Sequence, residues 1–258
     1  MPVRLGAVGY LNARPLVYQL ERSPSFSLRF DIPSTCADLL HAGDIDVGLI
    51  PSIEYLRGRP LAIVPDLAIA SRGPVTSVML YATRPMKDVR SIAMDTSSRT
   101  SVALVRVLCA KLFKIDPVFE PLGPDLDAML GRHDAALLIG DNALFAERDG
   151  IDLGDAWTRL TGLPFVYAFW AGKPGLLTPA HVKELQETRD RGVAEAETVA
   201  RLYLKDAPER QARGARYLRD NINYHFGDEE QAGLELFYRY ASELGLAPGG
   251  SVRFYRQA

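Results

Sequence analysis

Little in this sequence points to conventional catalysis. Cysteine occurs twice, at Cys36 and Cys109, outside any C-x-x-C or Cys/His cluster. Neither a disulfide framework nor a thiolate metal site is therefore available, and both read as small buried hydrophobes. The four histidines, His41, His133, His181 and His225, form no H-x-x-x-H pair. A G-x-S-x-G elbow, a Walker sequence and a G-x-G-x-x-G fingerprint are also missing. Neither a metal nor a cofactor is expected. No run approaches the roughly 18 apolar residues of a membrane span. The opening MPVRLGAVGYLNARPL lacks the long apolar stretch of a secretory signal, so a cytoplasmic protein with no membrane partner is expected. An excess of one charge sign is lacking as well: 30 basic residues face 32 acidic ones, for a net charge of −2. That balance leaves no electrostatic footprint for nucleic acid. An anionic ligand would have to be held by local donors and helix N-termini. Nothing in the pattern selects an oligomeric state.

What is present is a pattern written twice. SLRFDIPSTCADLLHAGDIDVGLIPSIEYL (Ser27–Leu56) and DPVFEPLGPDLDAMLGRHDAALLIGDNALF (Asp116–Phe145) run in the same order. Each has a short strand with Phe (Phe30, Phe119), a Pro turn, an amphipathic helix, a Gly-x-x-Asp turn, a buried strand and another helix. The segments before them, VRLGAVGYLNARPLVYQL and RSIAMDTSSRTSVALVRVL, both read strand, polar loop, helix. Two α/β lobes of one design imply a ligand cleft between them.

Local signals fill in the plan. Val3–Val8 reads as a buried parallel strand, with Asn12 as N-cap of the helix that follows. Ser34 is expected to cap a helix through Leu40 that Gly43 closes, Asp46–Ile50 to form the next strand, and Pro51 to open another helix. Two extended runs, Leu61–Thr83 and Leu163–Ala171, flank the second copy. Within them, Val75–Tyr81 and Phe165–Trp170 are expected to cross between lobes. The first lobe is then discontinuous, comprising residues 1–84 and 164–258 with the C-terminal helices, and the second spans 85–163. Phe237, Tyr240, Ala241 and Leu244 have helical spacing, ended by Gly245. Gly192 and Gly214 weaken the expectation of unbroken helices.

In an open parallel sheet, ligands bind beyond the carboxyl ends of the strands. Three polar loops fall there: Gly9–Asn12, Ser97–Ser101 and Gly140–Asn142, with Ser77 near the cleft floor. Thr96–Ser101 carries five hydroxyls before a helix whose Val105, Leu108, Cys109 and Leu112 share one face. Such a loop suits a carboxylate or phosphate, while an ordinary helix cap is the alternative. The Asn12 carboxamide can orient a hydroxyl or carboxylate without titrating. Asp141 reads first as a helix cap, and Glu54 as a solvated helix carboxylate rather than a buried one.

In combination, VGYLNARPL, GDIDVGLIPSIEYL, GPVTSVMLY, SSRTSVALVRVL and LIGDNAL resemble the chorismate dehydratases of the futalosine route to menaquinone. The resemblance covers nearly the whole chain. It implies a two-lobed fold like the type II periplasmic binding proteins, with chorismate as small-molecule substrate. The implied reaction removes the ring hydroxyl and the vicinal hydrogen, giving 3-[(1-carboxyvinyl)oxy]benzoate and water, with the enolpyruvyl carboxylate of the substrate as base. Matched position by position, Asn12 and Ser77 become the catalytic candidates. Gly9, Tyr10, Ser97, Arg99, Thr100, Ser101 and Asp141 become the substrate-binding ones. A sister family acts on cyclic dehypoxanthinyl futalosine and usually has Ser-Pro-Cys-Pro-Asn-Asp where Tyr10-Leu11-Asn12 stands here, which favours the dehydratase. Two other classes are a non-catalytic solute-binding protein of the same fold and the effector-binding domain of a regulator. The first usually carries an export signal, and no helix-turn-helix segment precedes the first strand to support the second.

Overall fold

The computed structural model describes residues 1–256. In the first third of the chain, β1 (Val3–Val8) leads into a 3-10 turn at Leu11–Val17, then β2 (Phe26–Asp31), α1 (Pro33–Ala42), β3 (Val47–Pro51) and the long β4 (Ala62–Ser71). The middle holds β5 (Val78–Ala82), β6 (Ser91–Asp95), α2 (Arg99–Leu108), β7 (Val118–Leu122), α3 (Leu126–Leu130), β8 (Ala135–Ile139) and α4 (Gly140–Leu144). It closes with the short β9 (Ile151–Asp152) and α5 (Leu153–Thr161). After β10 (Phe165–Gly172) the chain is helical: α6 (Pro179–Ala194), α7 (Ala196–Tyr203), α8 (Gln211–Asp220) and α9 (Asp228–Glu243).

Among the described residues, ten strands form two five-stranded sheets, ordered β2-β1-β3-β10-β4 and β7-β6-β8-β5-β9. In the first, β1 lies parallel to β2 and β3, and β10 runs antiparallel between β3 and β4. In the second, β6 lies parallel to β7 and β8, and β5 runs antiparallel between β8 and β9. The first three strands of each order, β2-β1-β3 and β7-β6-β8, correspond to the repeat read from the sequence. Central strands buried on both faces account for the apolar runs: every residue of β3, β8 and β10 is buried.

The expected crossing strands are corrected by the pairing. Val78–Ala82 bonds only within the second sheet and Phe165–Gly172 only within the first. The chain therefore crosses in the loops before β5 and before β10, and the limit drawn at residue 84 moves back ahead of β5. Periodicity cannot assign an extended apolar run to a sheet; only its hydrogen-bond partners do.

Two caps also differ from expectation. Tyr10, not Asn12, precedes the 3-10 turn, and Asn12 lies inside it. Ile32 rather than Ser34 precedes α1, which starts at Pro33 and stops at Gly43 with φ +86°, a conformation glycine adopts without steric cost. The C-terminal helices return to the first sheet: α6 packs on the 3-10 turn and β4, α7 on the same turn, and α9 on β10. Gly192 explains itself here, because a Cβ at that position would collide with the Pro15 backbone. Behind the cleft, Trp157 of α5 sits edge-on to Phe165 and Phe237, with ring centroids 5.2 and 6.1 Å away. Its indole N–H donates to the Pro164 carbonyl at 3.1 Å. This apolar anchor joins the second-sheet helices to β10 and α9.

Candidate functional site

The carboxyl ends of β1, β3, β6 and β8 converge between the sheets on a small cavity. Tyr10, Asn12, Ser77, Ser98, Ser101, Gly140 and Tyr167 contribute to its wall, with apolar Val8, Ile69, Val75 and Ile139. Its open space is about 50 Å³. One water occupies ~30 Å³ and ligand pockets usually hold roughly 300–1,000 Å³. The space between the lobes in this structure is therefore smaller than a ring-sized ligand fills.

Ser77 sits at the hinge. Thr76 before it has φ +59°, a left-handed setting that costs a β-branched residue about 1–3 kcal/mol. Asp152 holds it there: its carboxylate accepts the N–H of Val75 at 3.0 Å and of Thr76 at 2.6 Å, and also caps α5 through the Gly154 and Asp155 N–H groups. The aim of Ser77 is set by this turn. Its Oγ lies 2.7 Å from the hydroxyl of Tyr217 on α8. Burial pushes the Tyr217 phenol far above its ordinary range. Asn12 is held by its backbone carbonyl, which accepts from the Tyr224 hydroxyl at 2.9 Å, while its Oδ1 is buried without a partner.

The hydroxyl-rich loop divides its labour. Ser98 caps α2, accepting the Ser101 N–H at 3.3 Å, with the two hydroxyls 3.0 Å apart; both residues line the cavity. Ser97 turns away, its N–H and hydroxyl both donating to buried Asp95, whose other oxygen accepts the Ile139 N–H at 3.2 Å. Thr100 Oγ1 accepts the Ile53 N–H across the cleft at 3.1 Å. Arg99 also crosses, to Glu54 at 3.0 Å and Asp38 at 2.9 Å. Glu54 is not the solvated carboxylate expected: it is 2% exposed and also meets Arg57 at 2.6 Å.

Asp141 crosses at the opposite end. One oxygen accepts the Leu11 N–H at 3.1 Å and the other the Tyr203 hydroxyl. That hydroxyl is also 3.0 Å from the Gly9 carbonyl, which accepts from Arg14 at 3.1 Å. Gly140 just before has φ +64°, and the Tyr10 ring fills the space its Cβ would need. Desolvation raises the carboxyls of Asp95, Asp141 and Asp152 above the usual range, although each is bonded by N–H or O–H donors. These three second-lobe carboxylates are thus committed to fixing backbone and hydroxyls.

Of the residues singled out by sequence, Tyr10, Asn12, Ser77 and Ser101 meet at the cavity. Gly9 faces it only through its neighbours, Ser97 is bound to Asp95, and Arg99, Thr100 and Asp141 tie the lobes together. Ser98 was within the quoted motif yet not chosen. Tyr217, Tyr203, Asp95 and Asp152 carried no signal beyond ordinary helix and strand-end residues. Among the described residues no cluster of three His, Cys, Asp or Glu could hold a metal ion, and no helix is long and apolar enough to cross a membrane.

Comparison with known proteins bears on this geometry. A family model described as menaquinone biosynthesis matches residues 3–243. A chorismate dehydratase of Thermus thermophilus is 31% identical, with 95% of this chain and 96% of that protein covered. Another, of Campylobacter jejuni, is 27% identical over 94% and 99%. Among solved structures, a protein of Archaeoglobus fulgidus aligns with a TM-score of 0.75 at 18% identity, covering 95% of this chain and 98% of that one. The alkanesulfonate-binding protein SsuA of Xanthomonas axonopodis, bound to MOPS, aligns with a TM-score of 0.71 at 18% identity, over 96% and 94%. The fold is that of the periplasmic binding proteins.

Proposed function

The chain belongs to the menaquinone biosynthesis family, and from that premise we propose that it is a chorismate dehydratase of the futalosine route, acting in the cytoplasm. Its two lobes are the two sheets, the first made of residues 1–72 and 164–256 and the second of 76–162. The observation that carries the reading is the convergence of Asn12 and Ser77 on one small cavity between the sheets, opposite a hydroxyl-lined helix start.

The reaction needs modest assistance. Loss of the ring hydroxyl and the vicinal hydrogen yields an aromatic ring, so the protein has to hold the reactive conformer and ease departure of hydroxide. Ser98, Ser101 and the free N–H groups at the start of α2 receive a substrate carboxylate, helped by the positive end of the helix dipole. Ser77 donates to the departing hydroxyl and Asn12 orients it. Oriented hydrogen bonds of this kind gain strength where water is excluded. The enolpyruvyl carboxylate, held close, takes the vicinal proton, which accounts for a site without a protein base.

Incubation of purified protein with chorismate, followed by ultraviolet absorbance and mass spectrometry, tests this directly. The expected product is aromatic and one water lighter than the substrate. Tight binding of chorismate without turnover would instead favour a solute-binding role, and turnover only of cyclic dehypoxanthinyl futalosine would favour the sister activity.

A further inference from the structure

Tyr167 belongs at once to the cavity wall and to the crossing between the lobes. It stands in β10 where the pairing with β4 slips. Val166 faces Ala70 and Ala168 faces Ile69, which leaves Tyr167 as an extra, unpaired residue. A bulge of this kind re-aims a side chain off the regular alternation. Here Tyr167 lines the cavity, while its hydroxyl lies 3.0 Å from Oγ of Ser71, the last residue of β4. We propose that Tyr167 is a positioning residue, whose hydroxyl pins the start of the crossing segment and so holds the aim of Ser77 at that segment's end. This inference rests on the dehydratase reading.

The segment from Ser71 to Ser77 is clasped at both ends. At its start, the Ser71 hydroxyl donates to the Gly73 carbonyl at 3.2 Å, and the Gly73 N–H donates to Thr158 Oγ1 of α5 at 2.8 Å. At its end, the Asp152 carboxylate takes the N–H groups of Val75 and Thr76. Gly154 of α5 joins the two clasps. Its N–H donates to Asp152 at 2.9 Å. A Cβ on it would fall 2.6 Å from the Gly73 carbonyl oxygen, 2.6 Å from the Tyr167 hydroxyl and 2.7 Å from Ser71 Oγ. Only glycine lets α5 close on the turn this tightly. A serine hydroxyl has one hydrogen, and that of Ser71 goes to Gly73, so the Tyr167 O–H is the donor to Ser71. Burial pushes this phenol well above its ordinary range, and it keeps its proton. Tyr167 is therefore neither acid nor base in the reaction, and its hydroxyl acts through the turn. Without this bond Ser71 and Gly73 shift, and Ser77 loses the fixed direction from which it donates to the departing hydroxyl. Misplacing a reacting group by about 1 Å costs on the order of 10²-fold in rate.

Tyr167→Phe keeps the ring at the cavity wall and removes the bond. The expected result is a kcat about 5- to 20-fold lower with KM within about twofold, since the loss falls on a group whose bond strengthens in the transition state. Ser71→Ala removes the same bond from its other partner and should give a matching loss. The two changes together should cost less than about twofold more than either alone. In a Ser77→Ala background, Tyr167→Phe should lower kcat by less than about twofold, because Tyr167 acts through Ser77. A merely structural bond would lower the melting temperature and leave kcat unchanged in both single variants, and that result would overturn the proposal. So would a Tyr167→Phe loss that persists undiminished in the Ser77→Ala background. Should Tyr167→Phe fail to fold, Ser71→Ala with and without Ser77→Ala carries the same comparison. Wild-type protein that forms no aromatic product from chorismate would overturn the dehydratase reading itself, and this role with it.

Discussion

The two ends of the cleft are fastened by different chemistry. At the α2 end, Arg99 reaches from the second lobe to Glu54 and Asp38 of the first, with the guanidinium about one-third exposed. At the α4 end, a carboxylate of the second lobe is taken inside, where Asp141 accepts from a backbone N–H and a tyrosine hydroxyl. The first fastening is an ion pair that salt can weaken. The second is a set of desolvated hydrogen bonds that salt leaves alone but geometry controls. Between them lies an uncharged interior: Asn12, Ser77, Ser98, Ser101 and Tyr10. The ion pair and the buried carboxylate at the two ends thus fall to residues other than those lining the cavity, although the sequence interleaves them within TSSRTS and GDN.

The sharpest test of that division is the interior. Ser77→Ala and Asn12→Ala should each lower kcat about 10²–10³-fold, the usual loss for one oriented donor, with thermal melting shifted by less than about 3 °C. A normal kcat/KM in either folded variant breaks the comparison at its centre.

Next in size is the buried end. Asp141→Leu removes both cross-lobe bonds and should raise KM about tenfold, because closing then returns less binding energy, while kcat falls by a smaller factor. Its ionisation has a sign that can be checked. The folded-state carboxyl is raised by burial above its unfolded value. It binds its proton more tightly when folded, so its contribution is fully present below the unfolded pKa and is lost as pH rises through the raised one. Asp141→Asn cannot ionise, and the melting temperature of wild type relative to that variant should therefore decline across this interval, from about pH 4 upward. A rising difference would contradict the burial argument.

The smallest effect belongs to the exposed end. Arg99→Gln should raise KM about two- to fivefold at low ionic strength, and the gap to wild type should shrink as salt is added, as expected of a screened pair. Equal salt sensitivity in wild type and variant would mean that Arg99 does not fasten the lobes electrostatically.

Much of the fold was legible in the chain because burial writes itself as apolar runs. The doubled pattern of β2-α1-β3 and β7-α3-β8, and Gly43 as a helix stop, needed only periodicity and turn chemistry. Sheet membership of β5 did not show, since pairing partners lie far away in sequence. Asn12 and Ser77 were recognisable as small polar residues at strand ends and by resemblance. Their partners were not: Tyr217, Tyr203 and Tyr224 sit on or beside helices where an aromatic residue ordinarily means core packing. Glu54 failed for the reverse reason, because a helix Glu is usually solvated and only the arrival of Arg99 from the second lobe, beside neighbouring Arg57, allows its burial.

The placement of β10 reaches beyond the finished molecule to its birth on the ribosome. The second sheet is complete once α5 has emerged, whereas the first lacks its fourth strand until residues 165–172 follow. During synthesis, β3 and β4 therefore wait with unpaired edges while the later-encoded sheet can already close, an inversion of the usual N-terminal-first order. Exposed apolar edges of that kind invite wrong partners, so chaperone demand should concentrate on nascent chains ending between β4 and β10.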